Sequence, residues 1–226
     1  MEPASDLSIV ALSLKVAIAG TLLSLPLAIA VAWLLARRRF FGHSVVNAIV
    51  HLPLVLPPVV TGFLLLRVFG RRGIVGGFLE GALGMTLAFR WTGAALAAAV
   101  MGFPLMVRAI RLAIEQVDPA IEAAAATLGA SRGWTFATVT LPLALPGVLA
   151  GVVLGFAKAL GEFGATITFV SNIPGETQTI ALAIYNLTQD PAGEAALWRL
   201  LSISIALSFT ALLASEWLAR KMDRRR

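Results

Sequence analysis

The sequence predicts an all-α integral membrane protein of about five spanning helices. Three observations carry that prediction. Of the 226 residues, 58% are hydrophobic and only 13% are charged, whereas a soluble domain carries about 25% charged residues. Apolar stretches of the ~20 residues needed to cross ~30 Å of hydrocarbon recur along the chain. The cations gather at the ends of these stretches, as Arg37-Arg38-Arg39, Arg71-Arg72, Arg220-Lys221 and Arg224-Arg225-Arg226. Flanking clusters of this kind are topology signals, so the net charge of +6 speaks for membrane orientation and against a nucleic-acid partner.

The first span covers residues 16–36, entered at Lys15 and left at the arginine triplet. Glu2 and Asp6 stand where a signal peptide has basic residues, and no small-residue cleavage site follows; the run is expected to stay as a helix. The second span, 45–66, contains Pro53, Pro57 and Pro58, which remove backbone donors. Such breaks are tolerated where backbone faces protein or a water-lined cavity, so a pore-adjacent kink and a bent packing helix are both open readings; Pro104 in the third span, 92–111, is treated alike. The glycine-rich stretch 73–89 is read as a surface segment with a short amphipathic helix, a sixth span being the alternative. The fourth span covers 146–170 and the fifth 197–219.

Lysine and arginine in the short loops set orientation. With the N-terminus outside, eleven cations fall inside (Arg37, Arg38, Arg39, Arg108, Arg111, Arg132, Arg220, Lys221, Arg224, Arg225, Arg226) and five outside (Arg67, Arg71, Arg72, Arg90, Arg199). This predicts N-out, C-in. The loop 171–198 carries no Lys or Arg, which suits the outside.

Residues 115–142, between the third and fourth spans, read differently. Asp118 is a good N-cap and Pro119 a favoured first helical residue; Ile-Glu-Ala-Ala-Ala-Ala-Thr-Leu then forms helix readily, and Gly129 stops it. About ten residues give ~15 Å, too short to cross a bilayer. Residues 131–140 form a second short helix, and Pro142 and Pro146 mark entry to the fourth span. A short helix of small side chains lets another surface approach its backbone; the alternative is a helix that merely lies on the membrane.

Lys158 and Glu162 lie four apart in the fourth span and so share a helix face. Ionisable groups at membrane depth face a bundle interior or a water-filled path. Two readings stand: a self-satisfying ion pair, or a face lining a translocation route or gate, which takes in Thr166 and the Pro57-Pro58 break. Gly147, Gly151 and Gly155 recur every four residues and allow close helix packing, within one subunit or between two copies. The loop 171–189 turns at Pro174-Gly175, and residues 179–187 are apolar enough to dip back toward the membrane; an outer gate or docking surface and a plain connection are both open.

There is no cysteine, which excludes disulfides and thiol chemistry. His43 and His51 are the only histidines and have no carboxylate nearby in sequence, so no metal site is expected. No Gly-rich phosphate loop ending in Gly-Lys-Ser/Thr occurs, nor a hydrolase or zinc signature. The chain is therefore expected to have no catalytic residues and no ATPase site of its own.

Residues 115–142 resemble the cytoplasmic loop of ABC importer permeases, an EAA triplet followed by a glycine and then, nine residues on, an I-x-LP element. Gly129, Val139, Leu141 and Pro142 fit that spacing, with Val for Ile. The triplet is one residue out: strict register falls on Ala123-Ala124-Ala125, and Glu122 is one early. The chain is similar to molybdate ABC transporter permeases over nearly its whole length, through 51–66, 103–115, 127–134, 141–147 and, most specifically, the stretch from Leu160 to Tyr185 that opens Leu-Gly-Glu-Phe-Gly-Ala. The resemblance implies a MetI-like bundle used as a homodimer in a bacterial inner membrane. It implies two ATP-binding subunits inside, which use ATP and magnesium, and a periplasmic molybdate-binding protein outside. Glu122, Ala123, Ala124, Gly129, Ala130, Leu141 and Pro142 would carry the coupling to the ATPase. By the same resemblance the cargo would be molybdate, and also tungstate, with sulfate the alternative. An ion-driven secondary transporter would show internal repeats and more embedded carboxylates than Glu162, and a membrane enzyme would show a catalytic cluster; neither is visible in the sequence.

Overall fold

A computed structural model describes residues 5–191 and 193–223. Every regular element among them is helical. The chain runs through α1 (Asp6–Arg37), α2 (His43–Val55), α3 (Pro58–Phe69), α4 (Ile74–Leu83), α5 (Trp91–Glu115) and α6 (Pro119–Thr127). It continues through α7 (Arg132–Thr135), a π-helical turn (Phe136–Thr140), α8 (Leu141–Leu160), α9 (Gly164–Val170), α10 (Ile180–Leu187) and α11 (Glu194–Asp223).

By length and apolarity, α1, α5, the continuous 132–160 rod and the Glu194–Ala211 stretch of α11 can each cross a membrane. The pair α2 and α3, bent by 113° at its break, makes a fifth crossing if counted as one. Central α5 packs against α1 on one side and α8 on the other. Its alanines and Gly102 allow close approach: a Cβ at Gly102 would meet the Gly155 carbonyl oxygen at 3.0 Å.

Three apolar clusters stack along the bundle. One end holds Ile9 of α1, Ile180 and Ala183 of α10 and Leu200 of α11. Next come Val16 and Ala17 of α1, Leu65 of α3, Ala94 to Met101 of α5 and Phe169 of α9. The other end holds Ala28 to Leu35 of α1, Val50 of α2, Met106 to Ile114 of α5 and Ala144 and Val148 of α8. Thus α2 serves one half of the bundle and α3 the other.

Three predicted boundaries need correction. Residues 45–66 do not form one helix. Pro57 and Pro58 cannot donate backbone hydrogen bonds, so α2 closes with Leu56 N–H on Leu52 O (3.0 Å) and α3 restarts with Pro58 in its first turn. Residues 146–170 are likewise not one helix: α8 ends at Leu160, and α9 starts at Gly164. Entry to that span is earlier than Pro146. The 131–140 helix runs straight into α8 through the π turn, where Leu141 N–H reaches back to Phe136 O. That wider turn relieves the clash of Pro142 with the preceding turn. The predicted short helix of 73–89 is α4.

Candidate functional site

The elbow between α5 and α8 is built from local signals. Asp118 Oδ1 accepts the Ala120 N–H at 2.8 Å and opens α6. The helix closes in a Schellman arrangement: Gly129 N–H donates to Ala126 O (3.0 Å) and Ala130 N–H to Ala125 O (3.1 Å). Gly129 sits at φ +86, where a Cβ is penalised by its own backbone although it would meet no described atom within 4 Å. Among the described residues α6 buries none. Its outward face presents Ala123 and Ala124, and Leu128 (89% exposed) and Trp134 (65%) project beside it. An apolar and small-residue surface of this kind at the watery end of a bundle is a surface to be covered.

The coupling residues named from sequence divide into two groups. Ala123, Ala124, Gly129 and Pro142 are exposed, while Ala130 and Leu141 are half-buried and Leu141 packs on the apolar cluster that holds Ala28 to Leu35 and Met106 to Ile114. Glu122 turns inward. Its Oε1 accepts from Arg37 Nε (3.2 Å), Arg37 Nη2 (3.1 Å) and Thr140 Oγ1 (2.6 Å). Arg37 Nη2 also donates to Val117 O at 2.8 Å, just beyond the end of α5. Nothing local in the sequence signals this contact, because Arg37 lies 85 residues from Glu122.

The pathway candidates gather at the two helix breaks. Glu162 is not on the α8 face it was expected to share with Lys158; it lies in the break, 3% exposed. Its Oε1 caps α9 by accepting the Ala165 N–H (3.0 Å), and its other oxygen is ion-paired with Lys158 at the end of α8. Each charge complements its helix end, the anion at an N-terminus and the cation at a C-terminus. Pro58 abuts α9: a Cβ at Gly164 would meet Pro58 Cβ at 2.7 Å. Gly62 presses on α9 as well, a Cβ there meeting the Ala165 carbonyl oxygen at 2.5 Å. The structure therefore brings Pro58, Lys158 and Glu162 to one level. Pro57 and Pro58 are exposed, and Thr166 is buried inside the bundle. Gly147, Gly151 and Gly155 pack on Ala113, Ile110 and Met106 of α5, which assigns that stripe to contacts within the subunit.

At the opposite end from the elbow, residues 171–179 are folded into the bundle. Ile180 N–H donates to Ser13 Oγ (2.8 Å), and Thr177 Oγ1 donates to Ser171 O (3.0 Å). Glu176 Oε1 accepts the Trp91 N–H at the start of α5 (3.4 Å), and Lys15 lies 3.6 Å from the Trp91 ring centroid. The histidines bond backbone carbonyls: His43, at the start of α2, is bonded to Leu35 O of α1 (3.0 Å), and His51, within α2, to Asn47 O one turn back (2.8 Å).

Comparison with known proteins gives this arrangement its place. The molybdenum transport system permease protein ModB of Haemophilus influenzae is 57% identical over 220 residues, covering 97% of this chain and 96% of that one. ModB of Escherichia coli strain K12 is 61% identical over 211 residues, covering 93% and 92%. The sulfate transport system permease protein CysT of Salmonella typhimurium is 37% identical over 182 residues, covering 79% and 65%. A bacterial alginate ABC transporter solved in complex with its alginate pentasaccharide-bound periplasmic protein shares the fold, with TM-score 0.74 at 18% identity over 96% of this chain and 78% of that one. The model for the binding-protein-dependent transport system inner membrane component matches residues 24–224. This chain, with its apolar bundle and its doubly capped elbow, belongs to that family of transport-system inner membrane components.

Proposed function

We propose that this chain is the channel subunit of an ATP-driven importer of molybdate, and of the isostructural tungstate, with all ATP chemistry carried by a separate subunit. One observation carries the mechanism: α6 is capped at both ends, buries nothing of itself and offers its alanine face at one end of the bundle. Such a helix is shaped to be gripped from outside. Two ATP-binding subunits dock there, one on each copy of a homodimer, and use ATP and magnesium. Their closure carries the elbow, and the helices rock between inward- and outward-open states.

The elbow end is cytoplasmic in this reading and the 171–187 end external, with the N-terminus outside and the C-terminus inside. The cation balance of the loops supports it. The 171–179 segment then forms the outer gate and the landing surface for a periplasmic oxyanion-binding protein. The breaks at Pro57-Pro58 and at Lys158–Glu162 border the pathway, and Lys158 supplies a positive field for an oxyanion. Molybdate is favoured over sulfate because relatives named for molybdenum are 57% and 61% identical to this chain, against 37% for the sulfate permease.

The test is uptake of labelled molybdate by cells carrying the whole system. Uptake that persists under a large excess of sulfate, with a P-loop ATPase recovered in equal amount with the purified chain, is the expected result. Sulfate competition at equal concentration would make it a sulfate permease, and uptake by the chain alone would remove the motor.

A further inference from the structure

We infer that Glu122 is a positioning residue that ties the elbow helix to two other helices of its own subunit, and does not contact the ATPase. The inference rests on the proposed coupling role of the elbow. Because α6 buries none of its residues among those described, apolar packing does little to fix its orientation. What fixes it is one carboxylate oxygen. Glu122 Oε1 holds the guanidinium of Arg37, the last residue of α1, through two N–H donors, and takes the hydroxyl of Thr140 in the π turn that leads into α8. The remaining reach of Arg37, to Val117 O, anchors the linker that enters α6.

The side chains of Arg37 and Glu122 are 16% and 22% exposed, and Thr140 is buried. Charge-assisted bonds in partly dry surroundings are the strong ones. A cation on a docking partner would have to displace Arg37 to reach this carboxylate. With the tether present, displacement of α6 moves α1 and α8 together. Without it, α6 hangs on the backbone at its two ends and the displacement is lost as slack. The sequence register agrees: Glu122 precedes the triplet position that the docking face uses.

The experiment uses the complete complex in proteoliposomes, comparing Glu122→Gln, Arg37→Gln, the double variant and Thr140→Val. Three quantities are read: ATPase subunit recovered with the permease, ATP hydrolysed, and labelled molybdate carried per ATP. The expected result is that the ATPase still co-purifies in all four, while molybdate per ATP falls roughly tenfold for either single charge variant. The double variant should be no worse than either single one, because all three remove one interaction. Thr140→Val, which keeps the ion pair, should fall by about two- to threefold and serves if a charge variant does not insert. Unchanged transport per ATP, or losses that multiply in the double variant, would overturn the inference. Loss of the ATPase from Glu122→Gln with its retention in Arg37→Gln would make Glu122 a docking residue. A Gly129→Leu control separates the two claims: if it keeps both ATPase and transport, the docking reading itself fails.

Discussion

Replacing Lys158 with Met tests the break in the fourth span most sharply. Glu162 is 3% exposed, and both of its oxygens are used, one by the Ala165 N–H and one by Lys158. Removing the cation leaves a buried carboxylate facing low dielectric, a change that costs about 3–5 kcal/mol for a buried pair. Lys158 keeps about a third of its side chain exposed, so the lower end of that range applies. Glu162→Gln is milder, because the amide oxygen still caps α9 and the Lys158 ammonium it leaves unpaired is 30% exposed and can be solvated; about 1–2 kcal/mol is expected. In the double variant the loss should fall below the sum of the two singles by about 1–3 kcal/mol. The assay is thermal unfolding of the purified complex in lipid nanodiscs, with labelled molybdate uptake alongside. The expected order of stability is wild type, then Glu162→Gln, then Lys158→Met, with the double variant at or above Lys158→Met. Equal and additive losses would refute the capped-break geometry. Wild-type uptake in Lys158→Met would leave the pair structural and remove it from the pathway.

Other substitutions probe other contacts. Gly62→Ala puts a Cβ 2.5 Å from the Ala165 carbonyl oxygen, forcing α3 from α9; overpacking of this kind costs about 1–3 kcal/mol, and an unchanged unfolding temperature would deny the contact. At Gly129 the strain is in the backbone, so Ala should cost ATPase recovery nearly as much as Leu, about 1 kcal/mol, and Asn less. A graded loss with side-chain size would show that space and not φ matters. Asp118→Ala removes the α6 cap, worth about 1 kcal/mol, and should weaken ATPase recovery several-fold in a pull-down, with Asp118→Asn near wild type.

What could be read from sequence follows from the range of the forces involved. The elbow was legible because Asp118, Pro119 and Gly129 act on their own backbone within a turn, and the spans were legible because length and apolarity are local sums. The division at residues 161–163 was not. Lys158 and Glu162 are four apart and read as one helical face, yet Glu162 prefers to cap α9, and Pro58 from another helix fills the gap at Gly164. The prolines of the second span announced a break, but its 113° angle depends on α2 and α3 packing on different clusters. The inward turn of Glu122 rests on Arg37, a partner distant in sequence. In each case the missing information is a tertiary contact.

The measurement closest to the central claim is photo-crosslinking from two positions of the assembled complex in its membrane, Ala124 on the elbow and Gly175 on the opposite loop. The account predicts that a crosslinker at Ala124 captures the ATP-binding subunit and one at Gly175 captures the periplasmic binding protein. Capture of the binding protein from Ala124, or of the ATPase from Gly175, would contradict it.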